Sequence, residues 1–198
     1  LLWGITNELQ SEEKRFFSPD DALAIKSIRS ATISPNGNWI AYVVQTNDMK
    51  EDKGKSQIFM VSRDGQTTLP LTNIANNASN PQWSPDGNFI AFTASKGEDA
   101  KTQVWTLNLI GGEAQAYTKV KQGVGGYEWK PDGTGMFLII KDEKEKEKDE
   151  DGNDVKDKPE PWVIDRKQFK RDYVGYLDRR RNHIYSYSKG DEAPRQLT

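Results

Sequence analysis

Few residues in this chain are able to do covalent chemistry. Hydrolysis by a serine nucleophile needs the side chain on a sharp strand-to-helix elbow, Gly-x-Ser-x-Gly, with a histidine to take its proton. The sequence contains no such elbow. Its one histidine, His183, stands where Gln57 and Gln103 stand in two similar segments, so a strand position accounts for it better than a general base does. There is no cysteine, which removes disulfides, thiolate metal sites and a cysteine nucleophile. No grouping of His, Asp or Glu has metal-ligand spacing. Gly123-Val124-Gly125-Gly126 lacks the Lys-Ser/Thr of a phosphate loop and reads as a link between structural units. The chain is therefore expected to carry no catalytic residue, cofactor or metal. What remains is binding chemistry. Pro159 to Arg181 mixes aromatics with an excess of basic over acidic residues, and its Trp162, Arg166, Lys170, Arg179, Arg180 and Arg181 suit docking on a partner domain or holding an anion. An ordinary loop with solvated arginines is the plainer alternative.

The elements that must position these residues are read from a repeat. Trp83-Ser84-Pro85-Asp86-Gly87-Asn88-Phe89-Ile90-Ala91-Phe92 predicts a tight turn between two strands: Pro85 presets φ, Asp86 suits the next position, and Gly87 takes the positive φ that closes the reversal. Copies stand 50 residues upstream, from Ile33 to Tyr42, and 46 residues downstream, from Trp129 to Leu138. Gln57-Ile58-Phe59 likewise matches Gln103-Val104-Trp105 and His183-Ile184-Tyr185, and a threonine follows each branched residue after 14 positions, at Thr72, Thr118 and Thr198. Four short strands per unit of roughly 40 to 50 residues mark a β-propeller blade.

The expected fold is all-β: blades of four antiparallel strands, about three of them in an incomplete ring, with a short N-terminal helix. Residues 1–17 form a lead, and 18–198 the propeller portion, with blades at about 29–72, 80–118 and 127–198. Ser18 as N-cap and Pro19 at the first helical position predict a helix that continues over Ala22 to Ile28. The last blade carries an insertion at about 141–178. Its charged first half, Lys141 to Lys158, has too little apolar surface to order itself and is read as a surface hairpin tip. Leu1 to Ile5 is either the tail of a secretory signal, giving a periplasmic or secreted protein, or an ordinary apolar segment of a cytoplasmic one. There is no membrane span. The net charge of −2 and the small size of the Arg179 to Arg181 cluster argue against nucleic-acid binding. Three blades do not close a ring, so the chain is expected to be a fragment.

The Ser-Pro-Asp-Gly-x-x-Ile-Ala-Phe repeat, at Ser34 to Tyr42 and Ser84 to Phe92, resembles the WD40-like repeat of TolB-type propellers and of prolyl-oligopeptidase-family serine peptidases. Trp162 to Arg166, Phe169 to Asp172, Gly175 to Leu177 and His183 to Tyr185, together with the opening Phe17-Ser18-Pro19-Asp20-Asp21, are similar to the acylaminoacyl-peptidase and dipeptidyl-peptidase branch. Lys130 and Gly135-Met136 depart from the repeat. The resemblance implies an N-terminal propeller that restricts access of peptide substrates to a C-terminal α/β-hydrolase domain of the same polypeptide, absent from this chain. It further implies that Trp162, Arg166, Lys170 and Arg179 to Arg181 line the face toward that domain or the substrate cleft. The alternative is a non-enzymatic TolB-like scaffold that binds protein partners.

Overall fold

The computed structural model describes residues 15–73, 77–96, 100–143, 164, 167–172, 175–177 and 179–198. Apart from one helix, the described elements are strands, and twelve of them make three four-stranded antiparallel sheets. The first sheet takes β1 (Ser27–Ile33), β2 (Trp39–Asp48), β3 (Lys53–Ser62) and β4 (Thr68–Pro70) in chain order. The second takes β5 (Ser79–Trp83), β6 (Phe89–Ala94), β7 (Gln103–Asn108) and β8 (Gln115–Ala116). The third is built from β9 (Gly126–Trp129), β10 (Gly135–Lys141), β13 (Asn182–Ser188) and β14 (Arg195–Gln196). A small hairpin, β11 (Lys170–Arg171) with β12 (Gly175–Tyr176), lies inside the third unit's long connection. These are propeller blades in an open arrangement.

The helix is shorter than the sequence predicts. α1 covers Pro19–Ala24, with the Ser18 hydroxyl accepting from the Asp21 N–H and the Asp21 carboxylate accepting from the Ser18 N–H. Arg15 pairs with that same carboxylate. Ile25 is already extended, and Ser27 and Ile28 belong to β1. The reason is local: Ile25 and Ile28 have no core face to turn towards and are exposed, so tertiary pairing with Gln45 and Val44 takes this stretch into the sheet.

The repeated turn is one device used several times. Ser84 N–H donates to the Phe89 carbonyl (2.9 Å), Phe89 N–H donates to the Ser84 hydroxyl (2.9 Å), and that hydroxyl donates to the Asp86 carboxylate, which also accepts from Asn88 N–H (3.1 Å). Ser34, Asn36, Asn38 and Trp39 reproduce the set. Gly37, Gly87 and Gly133 all sit near φ +70°, where a side chain would be strained. Successive turns stack, since a Cβ on Gly87 would touch the Pro35 ring and one on Gly133 the Pro85 ring. The Asp86 carboxyl is held below its ordinary value, first by the Ser84 hydroxyl and then by Asn88 N–H. A carboxyl depressed by folding stabilises the fold above its unfolded value of about 4, and the benefit is lost as pH falls through the folded value. Asp86→Asn, which copies the natural Asn36, is thus expected to narrow the difference in melting temperature between neutral pH and about pH 3. Calorimetry at the two pH values reads this, and an unchanged difference would show that the turn carboxylate contributes no acid sensitivity.

Two apolar layers fill the gaps between sheets. Ala41, Val43, Ile58 and Met60 of the first blade meet Trp83, Ile90, Phe92 and Ala94 of the second. Ala91 and Val104 of the second blade meet Tyr127, Met136, Leu138 and Ile140 of the third. Consequently β6 is buried on both faces from Ile90 to Ala94, whereas β10 alternates, burying Met136, Leu138 and Ile140 and exposing Phe137 and Ile139.

Candidate functional site

Polar groups that the repeat does not use for its own turns gather at the edge where the blades converge and at the root of the insertion. The convergent edge is made by β1, β5 and β9, each at the end of its sheet order. Side chains tie these three strands together. Trp83 Nε1–H donates to the Thr32 carbonyl (3.2 Å), the Tyr127 hydroxyl donates to the Asn80 carbonyl (2.7 Å), and Gln82 Nε2–H donates to the Tyr127 carbonyl and the Glu128 carboxylate (both 3.1 Å). Ser30 and Asn80 hold equivalent places, share a φ of +51°, and mark bulges at which the pairing with β2 and β6 slips. It is the bulged Asn80 whose carbonyl accepts the Tyr127 phenol. Burial pushes that phenol's pKa up, so it stays a donor.

The insertion leaves the third blade between β10 and β13, the place taken in the first blade by the hairpin tip between Asp48 and Lys53. It therefore emerges on the face opposite the stacked turns. Its root is clamped: Asp142 N–H donates to the Arg181 carbonyl and Arg181 N–H to the Asp142 carboxylate, both at 2.8 Å. The other Asp142 oxygen lies 3.1 Å from His183 Nε2, while His183 Nδ1 lies 2.7 Å from the Thr198 carbonyl. Both ring nitrogens thus face acceptors of the protein, and neither is turned toward a reacting hydroxyl. The histidine is a strand residue: Gln57 donates in the same way to the Thr72 carbonyl (2.6 Å) and Gln103 to the Val120 carbonyl (2.7 Å).

Of the residues picked from the sequence, Trp162 and Arg166 lie outside the described residues, as do residues 144–158 of the charged tip and Leu1 to Ile5. Lys170 is exposed in β11, opposite Tyr176. Arg179 and Arg181 are exposed and Arg180 half-buried at the foot of β13, on a separate element from Lys170. The converging edge, with Gln82 and Glu128, was not singled out from the sequence. Its signal is an inner-strand position read across three copies, visible only once Ser30, Asn80 and Gly126 are aligned. Among the described residues no group of three His, Asp or Glu gathers as a metal site, and no helix is long and apolar enough to cross a membrane.

No protein-family model matches the chain. Its sequence is 28% identical over 162 residues to a protein of Bacillus subtilis named an uncharacterized peptidase, a match that covers 82% of this chain and 24% of the relative. It is 30% identical over 125 residues to a dipeptidyl-peptidase 5 of Porphyromonas endodontalis, covering 63% of this chain and 18% of that one. The chain thus spans about a quarter or less of the curated relatives it matches. Among solved structures, the acylaminoacyl peptidase of Pyrococcus horikoshii superposes with a TM-score of 0.62 at 20% identity, over 87% of this chain and 25% of that one. TolB of Acinetobacter baumannii superposes with a TM-score of 0.52 at 19% identity, over 87% of this chain and 32% of that one. These structures share the fold. The sequence relatives bear out the resemblance to the prolyl-oligopeptidase-family peptidases, and the chain is a propeller portion of the kind those peptidases carry.

Proposed function

We propose that this propeller portion is the access-controlling N-terminal part of a serine peptidase of acylaminoacyl-peptidase or dipeptidyl-peptidase type. The observation that carries the reading is the match, over most of the chain, to two proteins named peptidases, in a chain whose own residues offer binding but no nucleophile. The mechanism is indirect. The blades would present a wall that admits an extended peptide and excludes a folded protein, and a C-terminal α/β-hydrolase domain of the same polypeptide would carry out acyl transfer through its own triad. The edge where β1, β5 and β9 converge supports this, because an end strand keeps backbone groups that no neighbouring strand of its own sheet takes, beside the Gln82 and Glu128 side chains. The outward face of the third blade, with Phe137, Ile139 and Ile184 exposed, suits a further blade. Trp162, Arg166, Lys170 and Arg179 to Arg181 are assigned to the face toward the hydrolase domain or substrate cleft.

A second reading has one observation in its favour: the fold is also shared with TolB, so a scaffold that binds protein partners could be built from blades of this kind. The full-length protein separates the two. Labelling by a fluorophosphonate serine probe, with turnover of short chromogenic peptides, supports the peptidase; no labelling and no turnover favours the scaffold. Reversing the charge of Lys170 and Arg179 to Arg181 is expected to lower peptide turnover in the full-length enzyme, and unchanged turnover would remove these residues from the cleft.

A further inference from the structure

A polar cleft lies between the first and second blades, on the hairpin face. It encloses ≈ 380 Å³ and is lined by Arg29, Gln45, Lys55, Ser56, Asn77 and Ser79. Arg29 and Gln45 share the inward face of their sheet with Val43, which is buried against the second blade and floors the cleft. The two cations differ. Lys55 is held by Asp48 (2.6 Å) and Glu51 (3.3 Å), whereas the Arg29 guanidinium makes no hydrogen bond or ion pair among the described residues. Asn77 Oδ1 accepts from Ser56 N–H (2.9 Å) and the Ser56 hydroxyl (3.2 Å), which leaves the amide NH₂ to donate.

The repeat supplies a control. At the junction between the second and third blades, Ser79 stands in the place of Arg29 and Gly123 in that of Asn77. There the chain packs closely at this point: a Cβ on Gly123 would lie 3.0 Å from Lys101 Cβ and 3.1 Å from the Thr102 carbonyl, so no side chain like that of Asn77 fits. The hydroxyls also satisfy one another, Ser79 with Thr93 at 3.0 Å and Ser95 with Thr102 at 3.1 Å. The first junction replaces this self-satisfied arrangement with an arginine, the Asn77 amide whose oxygen is already used, and the Gln45 amide, which can turn its NH₂ to the same space. Donors converging on an open polar cleft are the recognition chemistry of an oxyanion.

We propose that the cleft binds an oxyanion, a carboxylate or a phosphate group, through the Arg29 guanidinium with the Asn77 and Gln45 amides beside it. The proposal does not depend on the peptidase reading. Its test is isothermal titration of the intact protein with inorganic phosphate, with acetyl-dialanine as the free acid, and with the same peptide as its amide. Saturable one-site binding of phosphate alone identifies a phosphoryl ligand, and binding of the free acid but not the amide identifies a peptide carboxylate; either supports the site. Arg29→Gln is expected to weaken that binding by about tenfold or more at unchanged melting temperature. Gly54→Ala is the second variant, since its Cβ would press on Gln45 Nε2 from 3.2 Å without touching Arg29, and it too is expected to weaken binding. No saturable heat with phosphate or free acid, or binding unchanged in both variants, overturns the proposal.

Discussion

Gly135→Ala is expected to destabilise the fold by about 3 kcal/mol, the cost of forcing atoms into a filled space, and to lower the melting temperature by about 10 °C. Gly135 stands where the first and second blades carry Trp39 and Phe89. Its φ is not left-handed, so the constraint is room and not conformation. A Cβ here would fall well inside 3.0 Å of the Tyr187 carbonyl oxygen and lie 2.7 Å from the Ser188 hydroxyl, on the strand with which Gly135 pairs. The close approach is tied to the other departure in this repeat. Lys130 replaces the turn serine, and its ammonium donates to that same Ser188 hydroxyl at 3.0 Å, drawing the end of β13 over the turn. Thermal unfolding followed by circular dichroism measures the effect. A neutral Gly135→Ala would mean that the end of β13 retreats freely.

Thr118→Val is expected to cost about 2 kcal/mol, because it keeps the shape and leaves a buried N–H without an acceptor. The Thr118 side chain is 1% exposed. Its hydroxyl accepts from Val104 N–H (3.0 Å) and donates to Gln103 Oε1 (2.7 Å), while the backbone on either side of it continues the pairing with β7. The same latch recurs at Thr72 with Ile58 and at Thr198 with Ile184, each at 3.0 Å. Thr118→Ser keeps the hydroxyl and loses one methyl group, so it should cost less than the valine. Urea titration of the three proteins gives the order, and a valine variant as stable as the wild type would show that another group takes over the Val104 N–H.

These latches show what a sequence of this kind discloses. The spacing of 14 residues from Ile58, Val104 and Ile184 to a threonine is visible without any structure, and it reports a hydrogen bond made within one blade between residues close in the chain. The Ser-Pro-Asp-Gly turn is visible for the same reason. Ser62 to Thr67 escaped notice as another copy of it: Ser62 bonds the Asp64 carboxylate and Thr67 N–H just as Ser84 bonds its own turn, but Arg63 stands where the proline would. The bulges at Ser30 and Asn80 were not legible either, since serine rarely takes positive φ, asparagine takes it in many settings, and the slip of register that fixes both is made by pairing with β2 and β6. The helix was overextended because propensity counts Ile25 and Ile28 as helical while strand pairing decides otherwise. The cleft at Arg29 lies furthest from view. It depends on side chains from two blades about 50 residues apart and on the absence of an acceptor, and no local pattern encodes an absence.

The insertion also has a consequence for how the chain acquires its structure. Pairing of β2 with β3 closes a loop from Asp48 to Lys53, and pairing of β6 with β7 closes one from Ala94 to Gln103. The corresponding pair in the third blade, β10 with β13, must bring Lys141 to Asn182. Measured against the first blade this is roughly three doublings of loop length, an entropic penalty of about 2 kcal/mol before any contact is gained. During synthesis the first two blades can assemble as they emerge, each from neighbouring segments, whereas β10 can pair at once only with β9 and its other edge must wait until β13 has been made. The third blade is where a nascent chain stays exposed longest, and the Asp142–Arg181 clamp at the neck of the insertion is the contact that ends that wait.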